Sequence, residues 1–372
     1  MKVLLVGSEP VDHAIAYANG LAPQADVQAI LPRTRYEALL PWIDPRLNLD
    51  LIDWPRTRSL TNPAFLWALT RRIRAFRPDV VHVLSNTTLW LNAAVPFWRP
   101  YPVVTTVHDV TLHPGDRDTA QLPGWGARMM ARQSGDLVVH GDRLRRDAAA
   151  AFSKPLERVH VLSHPAIRRY ADLAREKGMM RAGPAGEVRV LLFGRIFAYK
   201  GLSTLIKAEA LLDDLAQDVK LIIAGRGDDP WAMQPLMGRP ERYDIRQGFV
   251  PDEDVARLFT DADIVVLPYD EASQSGVLHL AATFGKPVIV TDVGELRATV
   301  EPNGIGRVVP PGAPAALARA IRDLVADPCT RAAMGRRARL WSEGPNAPET
   351  VGRAAMKMYR AVTERRAGPP PN

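Results

Sequence analysis

The sequence predicts an α/β protein made of two doubly wound parallel-sheet domains in tandem. Three observations predict it. The chain has 372 residues, beyond the roughly 250–300 at which one hydrophobic core stops growing. Short β-branched runs alternate with longer helix-compatible stretches from end to end, the pattern of parallel βαβ units. The alternation breaks once, near the middle, at Lys177-Gly178 and Gly183-Pro184-Ala185-Gly186, a cluster of chain-turning residues that reads as a linker.

In the first half the strand-like runs are Val3 to Val6, Val27 to Leu31, Val80 to Leu84, Val103 to Val107, Leu137 to Val139 and Val159 to Leu162. The stretches between them are long enough to cross over as helices. One of them, Phe65 to Phe76, repeats Phe65, Leu69, Ile73 and Phe76 at three or four residues, the core-facing stripe of an amphipathic helix. The second half restarts with Val188 to Phe193, Val219 to Ala224, Asp244 to Gln247, Ile264 to Leu267, Val288 to Val290 and Gly306 to Val309. Trp341 to Val362 reads as one or two helices, and Gly368-Pro369-Pro370-Pro371 as a frayed tail. The domains are therefore placed at 1–180 and 185–349, with the tail at 367–372. Two such domains leave a cleft between them, and doubly wound sheets bind ligands at the carboxyl ends of their strands.

Composition excludes several classes. With 47% apolar and 24% charged residues the chain is an ordinary globular one, not a disordered one. The single cysteine, Cys329, excludes intramolecular disulfides, Cys-rich zinc sites and iron–sulfur clusters and fits a reducing compartment. The longest apolar run, Ala64 to Leu69, is far short of the roughly 20 residues that span a bilayer. Only Val3 to Val6 precede Gly7-Ser8-Glu9-Pro10, too little for a signal-peptide core, so the expected location is the cytoplasm.

The net charge of +7 sits almost wholly in residues 1–170, which hold 21 Lys/Arg against 15 Asp/Glu. A basic surface attracts nucleic acid, anionic lipid or phosphorylated ligands. No nucleic-acid reading motif accompanies it, so no nucleic-acid partner is expected. Arg71, Arg72, Arg74 and Arg77 form one cluster, and Arg143, Arg145 and Arg146 another. The first is a solvated helix face or a surface that rests on acidic lipid headgroups. Trp90, Phe97 and Trp98 are either core residues or interfacial anchors beside it. A peripheral position on the inner face of the cytoplasmic membrane stays open on that basis.

Familiar chemistry is missing. The nearest approach to a phosphate-binding Walker loop, Gly194 to Gly201, has the wrong spacing, and Gly225-Arg226-Gly227 lacks the third glycine of a dinucleotide fingerprint. Neither His-Glu-x-x-His nor Gly-x-Ser-x-Gly occurs. The pairs Asp116/Asp118, Asp252/Asp254 and Asp261/Asp263 have the composition of a divalent-metal site, but the second resembles a helix start and the third directly precedes a strand.

One constellation remains. Arg195 and Lys200 fall on the loop after the strand Val188 to Phe193, where two cations neutralise a diphosphate. Ser273-Gln274-Ser275-Gly276 opens the helical run Val277 to Phe284, and small residues at a helix start leave N–H groups aimed at a phosphate. Each feature alone also has a structural account, since Arg and Lys cap helices and Ser starts them.

The residues resemble glycosyltransferase family 4. Phe193-Gly194-Arg195, Tyr199-Lys200-Gly201, Leu221 to Gly225, Gly248-Phe249-Val250, Ala262-Asp263 with Leu267-Pro268, Gly285-Lys286-Pro287-Val288, Thr291-Asp292-Val293-Gly294 and Gly306 to Pro311 occur in that family's order. Arg77 to His82 and Thr105-Thr106-Val107-His108-Asp109 add a looser likeness. The resemblance implies the GT-B fold: two Rossmann-like domains facing across a cleft, with a nucleotide-diphosphate sugar on the C-terminal one and the acceptor on the N-terminal one. It implies no cofactor and no metal. It also implies that a last helix, about 350–366, joins the first domain near Tyr359, and that the anomeric configuration is retained. On this basis the catalytic candidates are His108, Arg195 and Lys200. The donor-binding candidates are Gly194, Gly225, Glu271, Ser273, Gln274, Ser275, Gly276 and Val277, and Gly7 and Asp109 lie on the acceptor side. The sequence departs from the family in one place: the positions of its Glu-x7-Glu motif hold Ser273 and Ala281, and Glu271 is the nearest substitute. The expected acceptor is a glycan or lipid-linked glycan of polysaccharide or cell-envelope synthesis. Two rivals are a non-catalytic nucleotide-sugar-binding protein and a sugar-nucleotide epimerase of the same fold.

Overall fold

A computed structural model describes residues 1–55, 59, 61–85, 89–111, 124–184, 186–212 and 218–367. The Asp116/Asp118 pair and residues 368–372 of the tail lie outside them. Two units share the described residues: the first runs to Pro165 and resumes at Pro345, and the second is Ala166–Gly344.

The first unit is a parallel sheet of β1 (Lys2–Val6), β2 (Asp26–Pro32), β3 (Asn48–Ile52), β4 (Val80–Val83), β5 (Val103–Thr106), β6 (Asp136–Val139) and β7 (Val159–Val161), in the order β3-β2-β1-β4-β5-β6-β7. Its helices up to Pro165 are α1 (Val11–Leu21), α2 (Arg33–Tyr36), α3 (Asn62–Phe76), α4 (Gly124–Gln133) and α5 (Asp142–Phe152). Because side chains alternate along a strand, β1 sends Val3 and Leu5 into one apolar layer and Leu4 and Val6 into the other. A strand buried on both faces explains its unbroken apolar run. Sequence reasoning missed β3: Asn48-Leu49-Asp50-Leu51-Ile52 is a half-exposed edge strand with no β-branched residue before Ile52.

On α3, Leu69 and Ile73 are buried and Phe65 and Phe76 pack partly against the same layer, while Arg71, Arg72 and Arg74 are exposed. Of the aromatic candidates for a surface anchor, Trp98 is core: it is wholly buried, and its Nε1–H donates to Thr70 Oγ1 at 3.1 Å. Trp90 packs edge-on against Trp54 and Phe65, with centroids 5.0 Å away in each case. Phe97 is exposed, and so are Trp67 and Trp125, which sequence reasoning passed over.

The second unit contains α6 (Arg169–Glu176), β8 (Val188–Phe193), α7 (Leu202–Glu209), β9 (Val219–Gly225), β10 (Tyr243–Gln247), α8 (Asp252–Asp261), β11 (Ile264–Leu267), α9 (Gly276–Thr283), β12 (Val288–Thr291), α10 (Leu296–Asn303), β13 (Gly306–Val309), α11 (Pro314–Ala326) and α12 (Pro328–Glu343). Its parallel sheet has the order β10-β9-β8-β11-β12-β13. The helix α6, which precedes the Gly/Pro break, packs in this unit: Tyr170 and Ala174 join its core, and Arg169 pairs with Asp252 in the first turn of α8. Asp263 is likewise taken, by Arg181 at 2.8 Å.

The chain returns to the first unit as α13 (Pro348–Ala367), which lies along α1. Two glycines set that approach. A Cβ on Gly20 would fall 2.0 Å from Pro348 O, and one on Gly352 would fall 2.0 Å from Gly20 O. Further along, the Tyr359 hydroxyl meets Tyr17 Oη at 2.8 Å and His82 Nδ1 at 2.6 Å. Arg365 reaches the buried Asp136 at 2.6 Å, beside His160 at 2.8 Å. Burial pushes the Asp136 carboxyl up, but the hydrogen bonds from His160 and Arg365 outweigh it and hold the group below the usual carboxylate range.

Candidate active site

In the second unit the strand order reverses between β8 and β11. The helix after β8 packs into one apolar layer and the helix after β11 into the other, so the two connections part at the carboxyl ends of these strands and open a crevice there. Both halves of the sequence-predicted cradle arrive at this point. From β8 come Gly194, Arg195 and Lys200; from β11 comes the loop that carries Glu271 and Ser273 to Ser275 into α9 at Gly276 and Val277.

Several contacts join the two loops. The N–H of Asp270 donates to Tyr199 O at 2.9 Å. Gly201 has φ of +69°, and a Cβ there would lie 1.7 Å from Pro268 O, so only glycine fits. The Lys200 ammonium sits 3.7 Å from the Tyr269 ring centroid and 5.0 Å from that of Tyr199, a cation held between two aromatic faces. Tyr269 Oη in turn lies 3.2 Å from Ser275 Oγ. On the other side of Lys200, Gly194 approaches Val277 and Gly225 backs onto the Gly194 carbonyl, where a Cβ on Gly225 would lie 1.7 Å away. Arg195 is half-buried, and its neighbours are fixed by Gly194 N–H to Ala224 O at 3.0 Å and Ile196 N–H to Arg226 O at 2.8 Å.

The start of α9 is suited to an anion. Ser275 precedes the helix in an extended conformation and makes no side-chain cap, and the first turn carries no acidic residue. The Leu278 N–H of that turn bends back to Ser275 O at 3.1 Å, while those of Gly276 and Val277 meet neither a side-chain oxygen of Ser275 nor a carboxylate in the turn. Gln274 Oε1 is buried with no hydrogen-bond donor among the described residues, an acceptor that a ligand hydroxyl or N–H would satisfy. Glu271 is exposed on the same loop. Partial burial of the neighbouring Asp270, reinforced by the Glu271 charge, pushes its carboxyl above the usual range.

The first unit gathers its candidates at the ends of β1, β4 and β5. Gly7 abuts Leu84, where a Cβ would lie 2.8 Å from Leu84 Cβ. His108 is buried, and its Nε2–H donates to Leu84 O at 3.0 Å while Nδ1 lies 3.3 Å from His140 Nε2. Nε2 is thus bonded within this unit, and Nδ1 faces the second ring. Asp109 is exposed beside it.

Comparison with known proteins decides the family. The family described as Glycosyltransferase Family 4 matches residues 12–166, and that described as Glycosyl transferases group 1 matches residues 181–341, together well over half of the chain. The chain belongs to glycosyltransferase family 4. It is similar to the alpha-D-kanosaminyltransferase of Streptomyces kanamyceticus, 27% identical over 80% of this chain and 82% of that protein. A D-inositol 3-phosphate glycosyltransferase of Xylanimonas cellulosilytica is 28% identical over 87% of this chain and 81% of its own length. Among solved structures, Anabaena HepE in complex with UDP-glucose superposes with a TM-score of 0.72 at 16% identity, covering 97% of this chain and all of that one. The fold is that of the GT-B glycosyltransferases.

In this glycosyltransferase the two motif positions that lack glutamate differ in their surroundings. Ser273 lies on the crevice loop and accepts from the Glu295 N–H at 3.0 Å. Ala281 is wholly buried in the core under α9. The same turn brings in Glu295, 6% exposed, which sequence reasoning missed. Its signal was its place directly after Thr291-Asp292-Val293-Gly294, where Gly294 packs so tightly that a Cβ would lie 2.1 Å from Ala272 O. No helix among the described residues is long and apolar enough to cross a membrane.

Proposed function

We propose that this glycosyltransferase takes its sugar from a nucleotide-diphosphate sugar bound in the second unit and transfers it with retention to a lipid-linked glycan. The observation that carries the donor assignment is the junction of the β8 and β11 loops, where Lys200 lies over Tyr269, Tyr269 reaches Ser275 at the start of α9, and Gly194, next to Arg195, approaches Val277. As the glycosidic bond breaks, negative charge accumulates on the departing diphosphate. Two cations and oriented N–H groups stabilise that charge without reorganising, an effect worth several kcal/mol in a shielded site. Gln274 Oε1 accepts from a donor hydroxyl. Ser273 and Glu295 occupy the rim where the family's first motif glutamate would act, and the departing phosphate oxygen takes the acceptor proton. His108 serves the acceptor side with Gly7 and Asp109, giving up one of its two present ring contacts when it meets substrate. No metal is assigned to the diphosphate.

The acceptor assignment is supported by the basic first unit. Trp67, Arg71 and Arg74 fall on one stripe of α3, and Arg74 donates to the carbonyl of exposed Phe97 at 3.2 Å. Aromatic rings and arginines on one exposed face suit an anionic membrane surface and support a peripheral position on the inner face of the cytoplasmic membrane. The test is nucleotide release from a panel of nucleotide sugars with a polyprenyl-diphosphate-linked acceptor in anionic vesicles. Activity with one donor, lost in R195A and K200A and with the product anomer matching the donor, supports the reading. Nucleotide-sugar epimerisation without an acceptor, or release that is indifferent to both substitutions, refutes it.

A further inference from the structure

Four histidines converge in the first unit, on elements far apart in sequence. His13 comes from α1, His108 from the segment after β5, His140 from the segment after β6 and His164 from the segment after β7. The ring of His13 lies 4.7 Å from that of His108, 5.0 Å from His140 and 4.9 Å from His164.

An ordinary buried imidazole satisfies itself by choosing a tautomer, and here backbone carbonyls fix that choice for two of the rings. His108 Nε2 faces Leu84 O at 3.0 Å and His140 Nδ1 faces Leu162 O at 3.0 Å. A carbonyl only accepts, so in each neutral ring the one proton is on that nitrogen. The remaining nitrogens, His108 Nδ1 and His140 Nε2, then present lone pairs to one another across 3.3 Å. His13 is 1% exposed, and both of its ring nitrogens are buried without a hydrogen-bond partner among the described residues, each costing about 1–3 kcal/mol if left so.

We infer that His13, His108 and His140 form a binding site for one transition-metal ion of the zinc, cobalt and nickel kind. One nitrogen from each lies within 4.8 Å of the others. Two imidazole nitrogens about 2.0–2.1 Å from a tetrahedral zinc ion are about 3.3–3.4 Å apart, which the His108–His140 pair already satisfies. The His13 ring closes the third side by moving inward. The backbone carbonyls of Leu84 and Leu162 supply the outer hydrogen bonds that orient metal-bound imidazoles. Three nitrogen donors favour such a cation over magnesium or calcium, which take oxygen. The site is distinct from the diphosphate cradle but takes His108 Nδ1, so metal and acceptor compete for that ring, and the test does not depend on catalysis.

The experiment uses the full chain with any affinity tag removed, stripped by chelator and titrated with Zn2+, Co2+ or Mg2+. Bound metal per chain is measured by elemental mass spectrometry, coordination by the visible d–d bands of Co2+, and stability by thermal melting. Expected are one Zn2+ or Co2+ per chain, four-coordinate Co2+ bands, a raised melting point and no response to Mg2+. His13→Gln and His140→Gln should each weaken binding by at least about tenfold, and His160→Gln, outside the cluster, should leave it unchanged. His140, being only half-buried, carries the test should His13→Gln fail to fold. Absence of stoichiometric binding to the wild type overturns the inference, as does unchanged affinity in a folded His140→Gln variant.

Discussion

Gly201→Ala isolates the contact that holds the two crevice loops together. Gly201 has φ of +69° and its added Cβ would meet Pro268 O at 1.7 Å, whereas Gly312 has φ of +63° with nothing within 4 Å. Both variants place alanine in the left-handed region, at about 1–2 kcal/mol, partly offset by about 0.4–1 kcal/mol from a stiffer unfolded chain. Only Gly201→Ala adds the clash, for which overpacking costs typically about 1–3 kcal/mol more. Gly312→Ala should therefore lose about 1 kcal/mol and Gly201→Ala about 2–4 kcal/mol, read as the shift in urea midpoint at unchanged slope. Moving Pro268 also displaces the loop under Lys200, so nucleoside diphosphate affinity should fall in Gly201→Ala and hold in Gly312→Ala. Equal destabilisation of the two variants would refute the claim that the β8 and β11 loops are locked at this point.

Three more outcomes follow from packing and charge. Trp98→Ala should cost about 3–5 kcal/mol and Phe97→Ala at most about 0.5 kcal/mol, by denaturant melts; similar losses would contradict the burial of one and exposure of the other. Glu209, wholly buried, accepts from Arg242 at 3.2 Å, Tyr243 Oη at 3.0 Å and Gly238 N–H at 2.9 Å; Glu209→Ala leaves the Arg242 guanidinium without its counter-charge, with Leu212 O at 3.4 Å, and should cost about 3–5 kcal/mol, and a loss under about 1 kcal/mol would show that this carbonyl contact suffices for it. Burial lowers His82 and His279 to about 3 from 6.5, so the unfolded chain binds more protons between those limits. Their contribution is complete above about pH 6.5 and is lost as pH falls toward 3, about 2 kcal/mol for each between pH 7 and 5. His279→Gln should remove about 2 kcal/mol of the measured drop in urea melts, and a stability flat across the interval would contradict the buried neutral state.

Much of this fold was legible in the sequence. Strands such as Val190 to Phe193 and Ile264 to Leu267 pack on both faces, and burial on both faces writes a continuous apolar run that periodicity detects. Edge strand β3 was not legible, because half-exposed Asn48 to Ile52 has a pattern that a loop also has. The passage between units at Pro165/Ala166 escaped notice because composition marks flexible chain, whereas the division follows packing: Tyr170 belongs to the second core although it precedes Gly178 and Gly183. At the site, Arg195, Lys200 and Ser273 to Gly276 were legible because phosphate binding needs cations and small residues at strand ends. Glu295, the Tyr199 and Tyr269 faces around Lys200, and the convergence of His13 with His140 were not. Each depends on which loops meet, and that is set by strand order rather than by local sequence.

Calorimetric titration of the full chain with a panel of nucleoside diphosphates tests the central claim most directly. The account predicts that one of them binds and that Arg195→Ala and Lys200→Ala each weaken it by about ten- to a hundredfold, the loss of one charge-assisted contact of about 1.5–3 kcal/mol. Wild-type affinity in both variants, or no binding of any nucleoside diphosphate, would contradict it.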